Sequence, residues 1–151
     1  MLLRLDGSAF TTGRSRYVDQ GPGSSEPTAK IFVKIGVEAL PGPIVVQLDT
    51  GAAWSVLEAE VAEAMNLLDG DGEQIPYSTR LGRVTGRLER TSLEILADDG
   101  ESLRLEATVF VSREWRGGSF LGYGGLLQDI RFAVDPSDNT FHFGPVSAAP
   151  A

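Results

Sequence analysis

The chain of 151 residues has no cysteine and a single histidine, His142. The first absence removes disulfides, thiolate nucleophiles, iron–sulfur ligation and cysteine-rich zinc sites; together the two oppose any zinc site. A chain without cysteine fits a reducing compartment, and the expected location is cytoplasmic. Positive charge is also scarce: 13 Lys and Arg against 21 Asp and Glu leave a formal net charge of −8. Nucleic acid and anionic membrane surfaces both need a basic face, so neither is expected as a partner. Long apolar runs are missing too. No stretch approaches the roughly 20 residues that cross a bilayer. Arg4 and Asp6 interrupt the apolar amino terminus, so neither a signal peptide nor export is expected.

What is present suffices for one compact domain with a core, given an apolar content of 42%. The Gly-, Pro- and Ser-rich run from Gln20 to Thr28 separates an amino-terminal arm from the body. The expected organisation is an arm and linker over residues 1–28, a domain over 29–145 and a short tail over 146–151. The arm either adds an edge strand or stands apart.

Within the body, Ile31, Val33, Ile35 and Val37 alternate with Phe32, Lys34 and Gly36, the period of a half-buried strand. Pro41-Gly42-Pro43 turns the chain into a more uniformly apolar strand, Ile44-Val45-Val46-Gln47-Leu48, which runs into Asp49. Ser55 and Glu58 have capping-box spacing, and Leu57, Val61, Met65 and Leu68 share one face, predicting a helix over 55–68. Residues 75–111 read as β, with a hairpin tip over 80–87 and a turn at Asp98-Asp99-Gly100. One or two helical turns over 125–130 precede strands around Phe132 to Asp135 and Thr140 to Phe143. Many short strands and one clear helix make a mainly β domain.

Several chemistries fail for want of partners. Asp69, Asp71 and Glu73 resemble the start of a calcium loop, but the twelfth position is Arg80 rather than a bidentate acid. Ser55 and Ser119 lie in no nucleophile elbow. Gly122, Gly124 and Gly125 lack the dinucleotide fingerprint. His142 sits in an alternating strand, where it is expected to face solvent or a partner. No metal or other cofactor is expected.

The segment Leu48-Asp49-Thr50-Gly51-Ala52 remains. A carboxylate hydrolyses a peptide bond by taking a proton from water while a second carboxyl donates one to the carbonyl oxygen. Two carboxyls held a few ångströms apart share a proton and so form such a pair. The Thr50 hydroxyl can lock the loop, and Gly51 permits close backbone approach beside the carboxylate.

The run Val45-Val46-Gln47-Leu48-Asp49-Thr50-Gly51-Ala52 resembles the active-site segment of the retropepsin-like, or retroviral-type, aspartic proteases, and the chain looks like a single-domain bacterial-type member. The likeness covers about 29–144. The order of later elements is similar as well: a hairpin flap over 81–87 with Gly82 and Gly86 flanking Arg83 and Val84, then Phe120-Leu121-Gly122, a short helix and a final strand. The resemblance implies a closed β-barrel of the acid-protease fold with one or two short helices. It also implies Asp49 as catalytic acid, Thr50, Gly51 and Ala52 as its support, Leu121 and Gly122 as structural neighbours, and the flap as substrate-binding. One chain carries one such triplet, so the implied assembly is a homodimer acting on extended polypeptides. The chain departs from the family in having Ala53 and Tyr123 where an acidic and a basic residue often pair. A dimerisation or peptide-binding module that keeps the fold without catalysis, or a pairing with an unlike chain, stays open on the sequence alone.

Overall fold

The computed structural model describes residues 1–20, 30–79 and 82–146. Residues 21–28 of the expected linker, Arg80 and Leu81 of the expected hairpin tip, and residues 147–151 of the tail lie outside these. Eleven strands and one α-helix follow in order: β1 (Gly13–Arg16), β2 (Ile31–Gly36), β3 (Ile44–Leu48), β4 (Ser55–Val56), α1 (Ala59–Ala64), β5 (Glu73–Thr79), β6 (Gly82–Ile95), β7 (Asp99–Gly100), β8 (Leu103–Val111), β9 (Phe120–Leu121), β10 (Ile130–Asp135) and β11 (Thr140–Pro145). A 3-10 turn spans Leu127–Asp129. No helix among the described residues is long and apolar enough to cross a membrane.

Strands pair in the order β2-β3-β9-β4-β8-β6, and β6 returns to β2 through Ile35 opposite Ile95 and Gly36 opposite Glu94. The result is the expected closed barrel, an arrangement that removes exposed sheet edges. β5 stays outside the closure and pairs with β6 as a hairpin, Glu73 opposite Leu88 through Thr79 opposite Gly82. Only Arg80 and Leu81 lie between the two strands in sequence, so the tip is tighter than the expected 80–87 span. Arg83, Val84 and Gly86 stand on the returning strand. A second sheet has the order β10-β11-β1-β7. The amino-terminal segment therefore enters the fold as an interior strand, with Ser15 opposite Phe141 on one side and Gly13 opposite Gly100 on the other.

The alternation in β2 is realised, with Val33, Ile35 and Val37 buried. They join Val46, Leu93, Ile95, Val109, Leu121, Phe141 and Phe143 in a core that fills the barrel and reaches the second sheet. Each such side chain contributes roughly 1.5–3 kcal/mol relative to exposure. A smaller cluster of Val56, Tyr77, Phe110 and Trp115 lies beneath the hairpin.

Three expectations need correction. The helix begins at Ala59, because Ser55 and Val56 are held as β4 against Val109 and Phe110 of β8, and Glu58 at the cap makes no side-chain bond. β3 is less uniformly buried than its composition suggests: Val46 alone is fully buried, since Gln47 faces a cleft and Val45 faces out. His142 points inward, buried in β11 between Arg14 and Ala133 on the neighbouring strands, with Nδ1 lacking a hydrogen-bond partner among the described residues. Burial pushes its pKa below the usual histidine value; the chain's amino-terminal charge and Arg14 add to this, while Asp138 and Asp135 oppose it.

Candidate active site

β3 delivers Asp49 to the floor of a cleft, and its parallel partner β9 fixes the position: Gln47 lies opposite Phe120, and Leu48 opposite Leu121. The Asp49 N–H donates to the Leu121 carbonyl at 2.9 Å, and the Gln47 N–H to the Ser119 carbonyl at 3.0 Å. The chain then turns on the carboxylate itself. Asp49 Oδ1 accepts the Gly51 N–H at 3.1 Å, and the Asp49 carbonyl accepts the Ala52 N–H at 3.2 Å. An aspartate that accepts from the backbone two residues on makes such a turn locally favourable.

Beyond the turn, the two segments clasp again. The Tyr123 N–H donates to the Ala52 carbonyl and the Gly124 N–H to the Ala53 carbonyl, each at 2.8 Å, and Trp54 bridges Gly124 in parallel. Ala53 and Tyr123, uncharged where a charged pair is often found, are thus close through their backbones. Gly122 lies in the middle of the clasp. A Cβ there would stand 2.4 Å from the carbonyl carbon and oxygen of Trp54, so only glycine allows this approach. Its N–H is taken by the buried Ser55 hydroxyl at 2.8 Å.

The cleft encloses about 880 Å³, within the roughly 300–1,000 Å³ usual for ligand sites. Asp49, Phe32 and Gln47 line its floor, Pro76 to Thr79 of β5 one wall, and Trp115 with Gly117 to Phe120 the other. Both tryptophans of the chain, Trp54 and Trp115, line it. Among the described residues, Asp49 and Lys30 are its charged lining residues.

Tyr77 joins the hairpin to the loop. Its hydroxyl accepts the Trp54 N–H and donates to the Trp54 carbonyl, both at 3.1 Å, while its ring stacks on Phe110 at 5.0 Å between centroids. The Trp115 indole N–H donates to the Gly118 carbonyl at 3.1 Å, and its ring meets Phe120 edge-on.

Asp49, Gly51, Ala52, Leu121 and Gly122 therefore converge. Thr50 is exposed beside them, and its hydroxyl makes no hydrogen bond among the described residues. Gly82 and Arg83 are exposed, Val84 packs on the aromatic cluster, and Gly86 lies against Phe110 and the Val111 carbonyl. None of these four lines the cleft; the other strand of the same hairpin does. Lys30, Trp54, Tyr77 and Trp115 are cleft residues that sequence reasoning missed. The signal available for Trp54 and Tyr77 was an aromatic five residues after Asp49 and another inside a polar strand. Among the described residues, no group of three or more His, Cys, Asp or Glu side chains could hold a metal ion.

No protein-family model matches the sequence, and no curated protein matches it. Among solved structures, a retropepsin-like aspartic protease from Rickettsia conorii aligns with a TM-score of 0.55 over 86% of this chain and 98% of that one, at 17% identity. The chain has the retropepsin-like fold. The alignment spans nearly all of that protease. At this identity the retropepsin-like architecture is shared while the side chains are largely not. The site must therefore be read from this chain's own residues.

Proposed function

We propose that the chain is one half of a homodimeric aspartic endopeptidase, with Asp49 of each copy forming the catalytic dyad. The observation that carries this reading is the Asp49 carboxylate, clamped by backbone bonds and lining an aromatic-walled cleft in a retropepsin-like fold. A two-fold axis beside Asp49 would bring the two carboxyls together, an isologous contact. Thr50 is exposed beside Asp49, which leaves it accessible to a second copy in this reading.

In the paired site one carboxylate takes a proton from water, and the water oxygen adds to the peptide carbonyl carbon. The other carboxyl donates its proton to the carbonyl oxygen. Collapse of the tetrahedral adduct breaks the C–N bond, and the nitrogen leaves with a proton returned by the dyad. Like charges this close cannot both ionise, which keeps one proton in the pair. Pro76 to Thr79 of β5 form one wall of the cleft, and in this reading an extended substrate backbone would lie along that strand.

The test is a digest of a peptide library across acid to neutral pH, with the wild-type chain and Asp49→Asn. Cleavage by the first and none by the second, at equal dimer content in sedimentation, is the expected outcome. Hydrolysis retained in Asp49→Asn removes the assignment. Wild-type peptide binding without cleavage at any pH replaces it with a non-catalytic peptide-binding module.

A further inference from the structure

We infer that Lys30 makes the cleft selective for polypeptides carrying an acidic side chain near a bulky apolar one at the bond to be cut. The inference rests on the reading above for its substrate, an extended polypeptide.

The two charges of the cleft come from neighbouring strand ends. Ile31 of β2 lies opposite Leu48 of β3. Lys30 immediately precedes β2 and Asp49 immediately follows β3, so both lie at the same end of this strand pair, and both line the cleft. A substrate backbone lying at Asp49 thus has an ammonium within reach of its side chains.

No ion pair engages that ammonium among the described residues. The ion pairs among the described residues are Arg14 with Asp99, Lys34 with Asp98 and Arg113 with Asp69, and Lys30 is in none of them. Two arginines of β6 are engaged elsewhere. Arg87 bonds the Gly70 carbonyl, Arg90 bonds the Thr108 hydroxyl at 3.1 Å, and neither lines the cleft. Around Lys30 the walls are Phe32, Trp54, Tyr77, Trp115 and Phe120. Lys30 is itself exposed, so a charge contact with it has the strength of an exposed ion pair. At a net charge of −8 the molecule as a whole repels acidic peptides. Lys30 reverses that locally, so discrimination arises in the cleft and not on approach.

The test uses matched peptides in which one Glu or one Gln is moved through the positions flanking a central pair of bulky apolar residues. At one of these positions Glu is expected to raise kcat/KM over Gln about five-fold at low salt, the upper range for an exposed ion pair, with the preference shrinking as salt screens it. Lys30→Gln should erase the preference and Lys30→Glu should turn it toward a Lys-bearing peptide. The same peptides titrated against Asp49→Asn by tryptophan fluorescence read the selectivity as Kd, without turnover.

Cleavage with no Glu preference at any position, or a preference unchanged in Lys30→Glu, overturns the role of Lys30 and leaves the endopeptidase reading standing. Preferential binding of Glu peptides without cleavage supports Lys30 and overturns the endopeptidase reading. A chain that neither cuts nor binds them overturns both. Loss of rate in Lys30→Gln by the same factor for Glu and Gln peptides also counts against selection, because it marks Lys30 as acting on Asp49 rather than on substrate.

Discussion

The hydroxyl of Ser55 accepts the backbone N–H of Gly122 at 2.8 Å, in a buried setting. The bond ties the first residue of β4 to the turn after β9, one step beyond the loop that carries Asp49. Ser55→Ala leaves that N–H without a partner away from water, which costs about 1–3 kcal/mol. Urea unfolding should show a loss in this range. Peptide hydrolysis should fall further than the loss of folded chain explains. A midpoint equal to that of the wild type would remove the argument.

Gly122 itself allows a second test. A methyl group there meets the Trp54 carbonyl at a distance no packing tolerates, so Gly122→Ala must push the two clasped segments apart. Overpacking of this kind costs about 1–3 kcal/mol. A displacement near 1 Å at a catalytic group costs roughly a hundred-fold in rate. Gly122→Ala should therefore stay folded at low temperature and lose most of its kcat. Unchanged kcat would show that Asp49 is not held by this clasp.

Tyr77→Phe keeps the ring on Phe110 and deletes both bonds to Trp54. The expected effect is a modest fall in stability of about 1 kcal/mol, with a clear rise in KM, because the Trp54 wall loses its hold on the hairpin. Kinetics with a fixed peptide, together with the emission maximum of the two tryptophans, would check this. An equal drop in kcat with KM unchanged would place Tyr77 in the chemistry and not in the wall.

Acid should destabilise the fold in two separate windows. His142 has a folded pKa below its ordinary 6.5, chiefly through burial. The unfolded chain then binds the extra proton, so stability is fully present above 6.5 and declines as pH falls below it. His142→Leu should flatten the melting temperature as pH falls below 6.5. Asp6 and Asp135 are held below their ordinary 3.8, each by hydrogen bonds from the serine two residues on, so their contribution is lost only as pH falls below that value. An equal decline of wild type and His142→Leu in the upper window would exclude His142 as its cause.

The turn that carries Asp49 was readable in the sequence because its signal is local. An apolar strand, an aspartate, and a glycine two residues later dictate a turn on the carboxylate whatever surrounds it. The period-two pattern of β2 was legible for the same reason. Ser55 was misread because capping-box spacing is also met by chance, and the buried Gly122 N–H, 67 positions away, claims its hydroxyl. His142 lies in an alternating strand, yet both faces of β11 are covered, so alternation could not say which side is wet. The hairpin was found, but its glycines drew attention to β6 when the cleft is lined by β5. Proline at 76 and tyrosine at 77 carry no turn signal, and their part depends on where the hairpin folds. Lys30 depends on strand register, which no single strand reveals.

The place of β1 between β11 and β7 has a consequence for how the molecule is held together. The first twenty residues behave as a binding partner of the body, docked by strand pairing and presented at high effective concentration by the segment joining Gln20 to Lys30. A chain cut in that segment would keep its docked piece until the two dissociate. A copy whose own β1 were displaced would leave β11 open to the β1 of another, so exchange of this strand between copies would be one route to assembly.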